Sequence, residues 1–251
     1  MSQGIVIQGL HKRFDDNVVL DGIDLRIERG EQRVILGRSG QGKSVLLKLL
    51  VGLLEADAGS IVVDGQEVTR MRREELYQLR RRFSMVFQGG ALFDSMTILE
   101  NVGLGLQEHT KLSDGEIRRR AEEALATVEL VDVGSKLPSA LSGGMRKRAS
   151  LARAIVTEPD YILYDEPTTG LDPITSDAIN RMIRRLDDEL GVTSLVVTHD
   201  MTSAFTVGER FTLLNDGCVC FEGTADEARS STDGPIRQFI DGNSEGSLEC
   251  N

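Results

Sequence analysis

The stretch Gly37-Arg-Ser-Gly-Gln-Gly-Lys-Ser44, at residues 37–44, has the glycine, lysine and hydroxyl spacing of a loop that wraps phosphate groups. It follows an apolar run at 33–37 and precedes a predicted helix at 45–54, so the loop joins a strand to a helix. Glycines allow consecutive backbone N–H groups to point at phosphate oxygens, and the helix N-terminus adds positive potential. The sequence therefore predicts a phosphate site in an α/β domain. A chance glycine-rich turn is the alternative, and the flanking strand and helix argue against it.

Individual positions in this phosphate-binding loop have distinct expected roles. We expect Lys43 to contact the β- and γ-phosphates of a nucleotide and Ser44 to ligate Mg²⁺. A nucleotide and Mg²⁺ are accordingly the predicted ligands. The predicted nucleotide-binding residues of this segment are Gly37, Arg38, Ser39, Gly40, Gln41, Gly42, Lys43, Ser44 and Val45.

Two further strand ends carry residues that suit nucleotide hydrolysis. The run Tyr161-Ile-Leu-Tyr-Asp-Glu166 ends in two carboxylates, of which Asp165 is predicted to hold Mg²⁺ and Glu166 to act as general base. A solvated turn is the alternative for this pair. His199 follows the strand-like run 195–198, where a contact with a γ-phosphate is geometrically reasonable, although a lone histidine is usually structural or exposed.

Strand-like and helical runs alternate along most of the chain, which predicts an α/β fold. The strands near the motifs are apolar throughout, as in a buried parallel sheet, and Asn215-Asp-Gly217 predicts a hairpin. The region from about 89 to 157 reads as a helical subdomain inserted into a single domain that covers 1–242. The polar segment 243–251 is expected to be frayed.

Local signals predict where two of the helices begin. Ser113 with Glu116 forms a capping box, which predicts a helix extending to about Leu130. Asp172 followed by Pro173 predicts an N-cap and a first helical residue, and Gly191 a C-terminal stop. An apolar stripe on this second helix, predicted to pack in the core, consists of Ile174, Ala178, Met182, Leu186 and Leu190.

Composition limits the possible partners. The chain has 251 residues and a formal net charge of −11, which disfavours nucleic-acid binding through general electrostatics. It shows neither an apolar run that would span a membrane nor a signal peptide pattern. Three cysteines without a framework suggest a reducing cytosol, and Cys218 with Cys220 fits a structural role better than a metal site. Arginine clusters, such as 118–120, are expected to be solvated and paired with acids rather than to bind lipid or nucleic acid.

The segment Leu141-Ser-Gly-Gly-Met145 lies between the phosphate-binding loop and the strand that ends in Asp165 and Glu166. With its motifs in this order, the chain resembles the ATP-binding cassette (ABC) ATPases from about residue 5 to residue 242. The resemblance implies a P-loop NTPase core with a mainly parallel sheet, an antiparallel β subdomain and an inserted helical subdomain.

The resemblance also implies that the nucleotide cofactor is ATP and that two copies of the chain form a head-to-tail homodimer with ATP between them. Ser142, Gly143 and Gly144 would then contact the nucleotide bound to the partner's phosphate-binding loop, acting in trans. The segment 170–172 would line the dimer seam. Phe14 would place its ring against adenine, and the alternative for this residue is a buried core phenylalanine.

Gln88 matches the glutamine with which the family contacts Mg²⁺ or water, which implies both a catalytic and a metal-binding role. The segment 88–96, Gln-Gly-Gly-Ala-Leu-Phe-Asp-Ser-Met, would form a docking surface for a multi-spanning permease; loop packing is the alternative. Together with Met145, this segment resembles the Mla/Mce-type phospholipid-transport ATPases. That subtype implies a peripheral location on the cytoplasmic face of the inner membrane, with an MCE lipid-binding protein and a small accessory subunit as further partners. Nucleic acid is not an expected partner, because of the negative net charge.

Arg38 and Val45 depart from the commonest family residues, and both positions tolerate such changes. Three other functions stay open at this point. The chain could be an ABC ATPase for another cargo, a soluble ABC protein that works on ribosomes or DNA, or a scaffold that binds ATP without turnover. The acidity and the lack of a tandem cassette disfavour the second, and Glu166 with His199 disfavours the third.

Overall fold

A computed structural model describes residues 4–242, and the predicted polar tail at 243–251 lies outside the described residues. The strands are β1 Ile5–Phe14, β2 Asn17–Ile27, β3 Gln32–Leu36, β4 Ala58–Val63, β5 Gln66–Glu67, β6 Phe83–Val86, β7 Tyr161–Asp165, β8 Thr193–Thr198, β9 Arg210–Asn215 and β10 Cys218–Thr224. The helices are α1 Lys43–Leu50, α2 Arg73–Arg80, α3 Ile98–His109, α4 Asp114–Thr127, α5 Gly143–Ile155, α6 Pro173–Leu190, α7 Met201–Val207, α8 Ala225–Ser230 and α9 Gly234–Asp241.

The larger sheet has the strand order β10-β9-β3-β8-β7-β6. Its pairs from β9 to β6 are parallel, and β10 joins antiparallel through the predicted hairpin turn at residues 215–217. Apolar side chains of β3 alternate between two hydrophobic clusters, with Val34 and Leu36 in one and Ile35 in the other. Both faces of this sheet are therefore covered, which explains why apolar residues occupy consecutive positions in its central strands, as at Val34, Ile35 and Leu36.

The smaller sheet is antiparallel, with the order β2-β1-β4-β5. Its buried residues, such as Ile7 and Leu25, share one hydrophobic cluster with Leu46 and Leu50 of α1 and with Ile35 of the larger sheet. Helix α1 is thereby held in the core between the two sheets. Its first residues, which follow the phosphate-binding loop, are fixed by this packing.

Helices α3, α4 and α5 occupy the region predicted to be mainly helical. They contribute to the hydrophobic cluster that contains Val34 and Leu36. The division into a domain and a helical subdomain stays a prediction. The arginines at 118–120 all form ion pairs with glutamates on α4, as predicted for a solvated face. Among residues 4–242, no helix is both long and apolar enough to cross a bilayer.

Helix starts were predicted better than helix ends and faces. Ser113 and Asp172 are N-caps, and Gly191 ends α6 in the left-handed conformation. Helix α4, however, ends at Thr127 rather than near Leu130, and α1 spans 43–50 rather than 45–54.

The apolar stripe predicted for α6 is only partly in the core. Met182 and Leu186 are buried, but Ile174 is 84% exposed and Leu190 is 42% exposed. The buried face instead includes Ile179 and Ile183, which lie between the stripe positions along the helix. The stripe prediction was wrong at its ends because strict i, i+4 spacing drifts around a helix that has 3.6 residues per turn.

Helix α6 also buries a carboxylate against the larger sheet. Asp187 is 2% exposed, and its Oδ1 accepts a 2.8 Å hydrogen bond from the hydroxyl group of Tyr164. Burial raises the pKa of Asp187 to about 6, although the Tyr164 hydrogen bond favours the charged form. The ionised side chain therefore destabilises the folded state at neutral pH.

We expect Asp187→Asn to stabilise the protein at pH 7.5 by about 2 kcal/mol, because asparagine can still accept from Tyr164 without a buried charge. A carboxyl whose folded pKa is raised loses stability as the pH rises from its unfolded pKa, near 4, to its folded pKa, about 6. The gain should therefore be full above pH 6 and absent near pH 4. Urea unfolding at several pH values measures this difference. Glu189→Gln, at an exposed position on the same helix, should show no such difference, and a gain independent of pH would contradict the explanation.

Candidate functional site

The phosphate-binding loop passes from β3 to α1 at the carboxyl edge of the larger sheet. Gly42 is the N-cap of α1 and has a φ of 82°, in the left-handed region that favours glycine. A Cβ atom at this position would also lie 2.9 Å from the backbone O of Val19. Backbone geometry and close packing both require glycine here. The side-chain Oε1 of Gln41 accepts from the backbone N–H of Asp216, which ties the loop to the β9–β10 turn.

Lys43 is buried, and its ammonium group lies over the phosphate-binding loop. It donates to the backbone O atoms of Gly37 at 2.6 Å and Arg38 at 2.9 Å, and it lies 3.8 Å from Oε1 of Glu166. Burial lowers the pKa of Lys43, whereas the negative charges of Glu166 and Asp165 oppose this shift. The loop thus holds a positive charge where the sequence predicts the phosphates.

Ser44 and Asp165 meet across the edge of the sheet although 121 residues separate them. The hydroxyl group of Ser44 donates to Oδ1 of Asp165 at 2.7 Å. A hydroxyl and a carboxylate oxygen side by side are the hard oxygen ligands that Mg²⁺ prefers. This donor pair fits the predicted metal ion, and the glycine-lined loop beside it fits phosphates.

Glu166 follows β7 directly and contacts His199, another of the predicted catalytic residues. Its φ of 51° is unusual for a residue other than glycine, and its backbone N–H donates to the backbone O of Val197. Its Oε1 lies 2.9 Å from Nδ1 of His199, and its Oε2 accepts from the hydroxyl group of Thr169 at 3.1 Å. Two contacts therefore orient the carboxylate. His199 is among the residues predicted from the sequence, whereas Thr169 is not.

A cleft opens beside this carboxylate. It has a volume of about 420 Å³ and is lined by Glu166, His199, Gly170 and Asp177, among others. The segment 170–172, predicted to line a dimer seam, leads from this cleft into α6, where Asp172 caps the helix by accepting from two backbone N–H groups. The catalytic candidates thus face an open surface.

Ser142 is the N-cap of α5 and is exposed. Its hydroxyl oxygen accepts from the backbone N–H of Met145 at 3.3 Å, and Gly143 and Gly144 form the first helical residues. The Cβ of a residue other than glycine at 144 would lie 2.8 Å from Cγ2 of Thr175. An exposed helix N-terminus with small residues presents its N–H groups outward, as binding to a phosphate on another chain requires.

Gln88 lies just after β6 and is exposed, and its backbone O accepts from the ammonium group of Lys147. Lys147, which lies five residues after Ser142 on α5 and is buried, is not among the site residues predicted from the sequence. Spacing offered one signal, since Lys147, Ser150 and Arg153 recur at intervals of three and share one face of the helix.

Phe14 is 42% exposed, with the ammonium group of Lys12 at 5.2 Å from its ring centroid. The alternative of a buried core phenylalanine is therefore wrong. The segment 88–96 combines the exposed Phe93 with a half-buried Leu92 that packs against the core. Asn101 is fully buried and exchanges two hydrogen bonds with the backbone of Phe93, which holds this segment in place.

Comparison with known proteins is consistent with this geometry. The family model described as "ABC transporter" matches residues 20–169. The "Intermembrane phospholipid transport system ATP-binding protein MlaF" of Haemophilus influenzae is 39% identical over 98% of this chain and 94% of its own length. The "Probable ribonucleotide transport ATP-binding protein mkl" of Mycobacterium tuberculosis is 40% identical over 96% of this chain and 67% of its own length.

The fold is also similar to that of solved ATP-binding cassettes. A dimeric cassette in a post-hydrolysis state, bound to ADP and Pi, superposes with a TM-score of 0.80 at 34% identity and covers 88% of this chain and 98% of its own. The motif order, the P-loop core and the matched family model agree. The chain therefore belongs to the ABC transporter family and is an ATPase of that family.

Proposed function

We propose that this chain is the ATP-hydrolysing subunit of a membrane complex that moves phospholipids. The choice of cargo is supported by the similarity to the H. influenzae phospholipid transport protein, which covers nearly all of both chains. The segment 88–96, with its glycines and exposed Phe93, supports the same subtype.

A ribonucleotide is the second candidate for the transported cargo. The mycobacterial relative, whose printed name refers to probable ribonucleotide transport, is as similar in sequence as the phospholipid relative. The match covers only 67% of that relative's length, against 94% for the phospholipid relative. Phospholipid is therefore the better supported cargo.

The proposed ATPase mechanism is based on the side chains that lie at the carboxyl edge of the larger sheet. The phosphate-binding loop and Lys43 would bind the β- and γ-phosphates, and Phe14 would contact adenine. Ser44, Asp165 and Gln88 would hold Mg²⁺, which when bound neutralises charge on the phosphates. The contact between Ser44 in the first turn of α1 and Asp165 at the end of β7 supports this arrangement.

Glu166 is proposed as the general base that takes a proton from the attacking water. Its Oε1 lies beside Nδ1 of His199, so the imidazole can hold the carboxylate in one orientation and reach toward a γ-phosphate. The hydroxyl group of Thr169 restrains the other oxygen atom. Gln88 would help to position the water.

The site is proposed to be completed by a second copy of the chain. Ser142, Gly143 and Gly144 are exposed or half-buried at the start of α5, and their backbone N–H groups suit a phosphate presented by a facing chain. The exposed Ile174, which follows the segment 170–172, fits the same interface. ATP would then close the dimer, and hydrolysis would reopen it.

Transport further requires a membrane partner, and the segment 88–96 is proposed to dock it. A multi-spanning permease would hold the acidic ATPase at the cytoplasmic face of the inner membrane as a peripheral subunit. An MCE lipid-binding protein and a small accessory subunit are proposed as additional members, and nucleic acid is not a proposed partner.

Purification of the subunit from its native membrane in mild detergent, followed by mass spectrometry, tests this function. We expect a multi-spanning permease, an MCE protein and bound phospholipid to co-purify. Recovery of ribonucleotide without phospholipid would favour the second candidate. A triple substitution of Leu92, Phe93 and Met96 to serine should release the permease. The single substitution Val131→Ser, at an exposed position outside this segment, should not.

A further inference from the structure

Helix α5 is connected to the segment after β6 by three side chains. The ammonium group of Lys147 donates to the backbone O of Gln88, and the hydroxyl group of Ser150 donates to that of Gly90 at 2.9 Å. The guanidinium group of Arg153 donates to Gly90 at 2.8 Å and to Ala91 at 2.6 Å. Spaced three residues apart, these donors follow one face of the helix. The start of the segment is thus held by the helix that Ser142 caps.

These contacts support a backbone that would not adopt its shape easily. Gly90 has a φ of 77° and Ala91 a φ of 46°, which is uncommon for a residue with a side chain. Carbonyl groups at such a turn have no strand partner, so side-chain donors take that place. Loss of a donor should therefore loosen residues 88–91 more than the rest of the segment, since Asn101 holds the segment at Phe93.

Lys147 differs from the other two donors in what surrounds its charge. It is buried at 6% exposure, and burial lowers its pKa. The negative charges of Asp165 and Glu166 act in the opposite direction, so the ammonium group lies within electrostatic reach of both carboxylates. A buried cation with a hydrogen-bond acceptor on one side and two carboxylates nearby is held in a defined position.

We propose that Lys147 is a positioning residue for ATP hydrolysis, which fixes the main chain of Gln88 relative to Asp165 and Glu166. The inference rests on the proposed roles of those three residues. Because Lys147 belongs to the helix that Ser142 caps, it also connects the segment proposed to dock a permease with the segment proposed to contact nucleotide in trans. A shift of the segment at 88–91 would thereby reach both the water-positioning side chain and the start of α5.

The test compares Lys147→Met, which keeps an unbranched side chain only one atom shorter but removes its charge, with Lys147→Arg and with Lys111→Met. Lys111 is exposed between α3 and α4, and its variant is a control for the same chemical change in the same region. Turnover is measured on the membrane-purified complex. Backbone amide exchange is measured on the full chain without nucleotide, and thermal unfolding checks that each variant folds.

We expect Lys147→Met to lower kcat about tenfold and to change KM for ATP by less than about threefold, because the phosphate-binding loop is untouched. Exchange should become faster at 88–91 and stay unchanged at 93–97. Lys147→Arg should restore most of kcat, and Lys111→Met should match the parent protein.

Near-normal kcat in Lys147→Met would overturn the proposal, as would an equal loss in Lys111→Met or a change confined to KM. If the parent protein itself did not hydrolyse ATP, the proposed function would fail. The exchange at 88–91 would then still report separately whether Lys147 holds Gln88.

Discussion

Glu166→Gln is expected to lower ATP turnover by at least about 100-fold while ATP still binds. Glutamine has the same shape, so its side chain can keep the contacts with Thr169 and His199 that orient Glu166. It cannot accept a proton from water. The phosphate-binding loop and Lys43 are unaffected, and ATP should therefore bind and hold the dimer closed.

Steady-state phosphate release and size-exclusion chromatography with ATP measure the two parts of this expectation. The variant should elute as a dimer in ATP and Mg²⁺, whereas the parent protein should return to monomers as ATP is consumed. Glu55→Gln, an exposed position after α1, is the matched control and should behave like the parent protein. Turnover near the parent rate in Glu166→Gln would contradict the assignment of the general base.

A mixed dimer is expected to recover one working site from two inactive chains. Lys43→Ala removes the buried cation of the phosphate-binding loop, and Ser142→Arg places a long side chain at the exposed start of α5. Each variant alone should lose about 100-fold in turnover, as expected when a preorganised donor to a phosphate is removed. In the mixture, one site combines an intact Lys43 with an intact Ser142 from the partner, and the other site has neither.

The mixture is prepared with two affinity tags so that only mixed dimers are collected, and labelled ATP is counted per dimer. We expect one ATP per mixed dimer and none in a sample that contains only the Lys43→Ala chain or only the Ser142→Arg chain. Ser142→Asp provides a second version, because aspartate retains the helix cap of α5 while its charge repels phosphate. If no mixed dimer bound ATP in either version, the proposed action of Ser142 in trans would be wrong.

Much of the site could be predicted without coordinates because its motifs are local. Three of these motifs follow strands of one parallel sheet directly. The phosphate-binding loop follows β3, Glu166 follows β7 and His199 follows β8, so all three lie at the carboxyl edge of that sheet. Parallel strands bring such ends together whatever their separation in sequence. The contact between Ser44 and Asp165, which spans 121 residues, follows from that rule.

Exposure could not be predicted in the same way, because it depends on which elements cover a given face. Ile174 and Leu190 belong to an apolar stripe, yet the sheet buries an adjacent face of α6 and leaves both residues exposed. The sequence left two interpretations of Phe14, core packing and contact with adenine. Its exposure in the structure excludes core packing.

The order and spacing of motifs were sufficient for the family, the α/β fold and the predicted nucleotide site, since each motif encodes its own turn, strand end and helix start. Tertiary structure alone decided that Lys147 is buried on the backbone of Gln88, 59 residues earlier in the chain. A lysine on a polar helix face is ordinarily solvated. Its burial here arises because the segment after β6 packs on α5, an arrangement that no local pattern records.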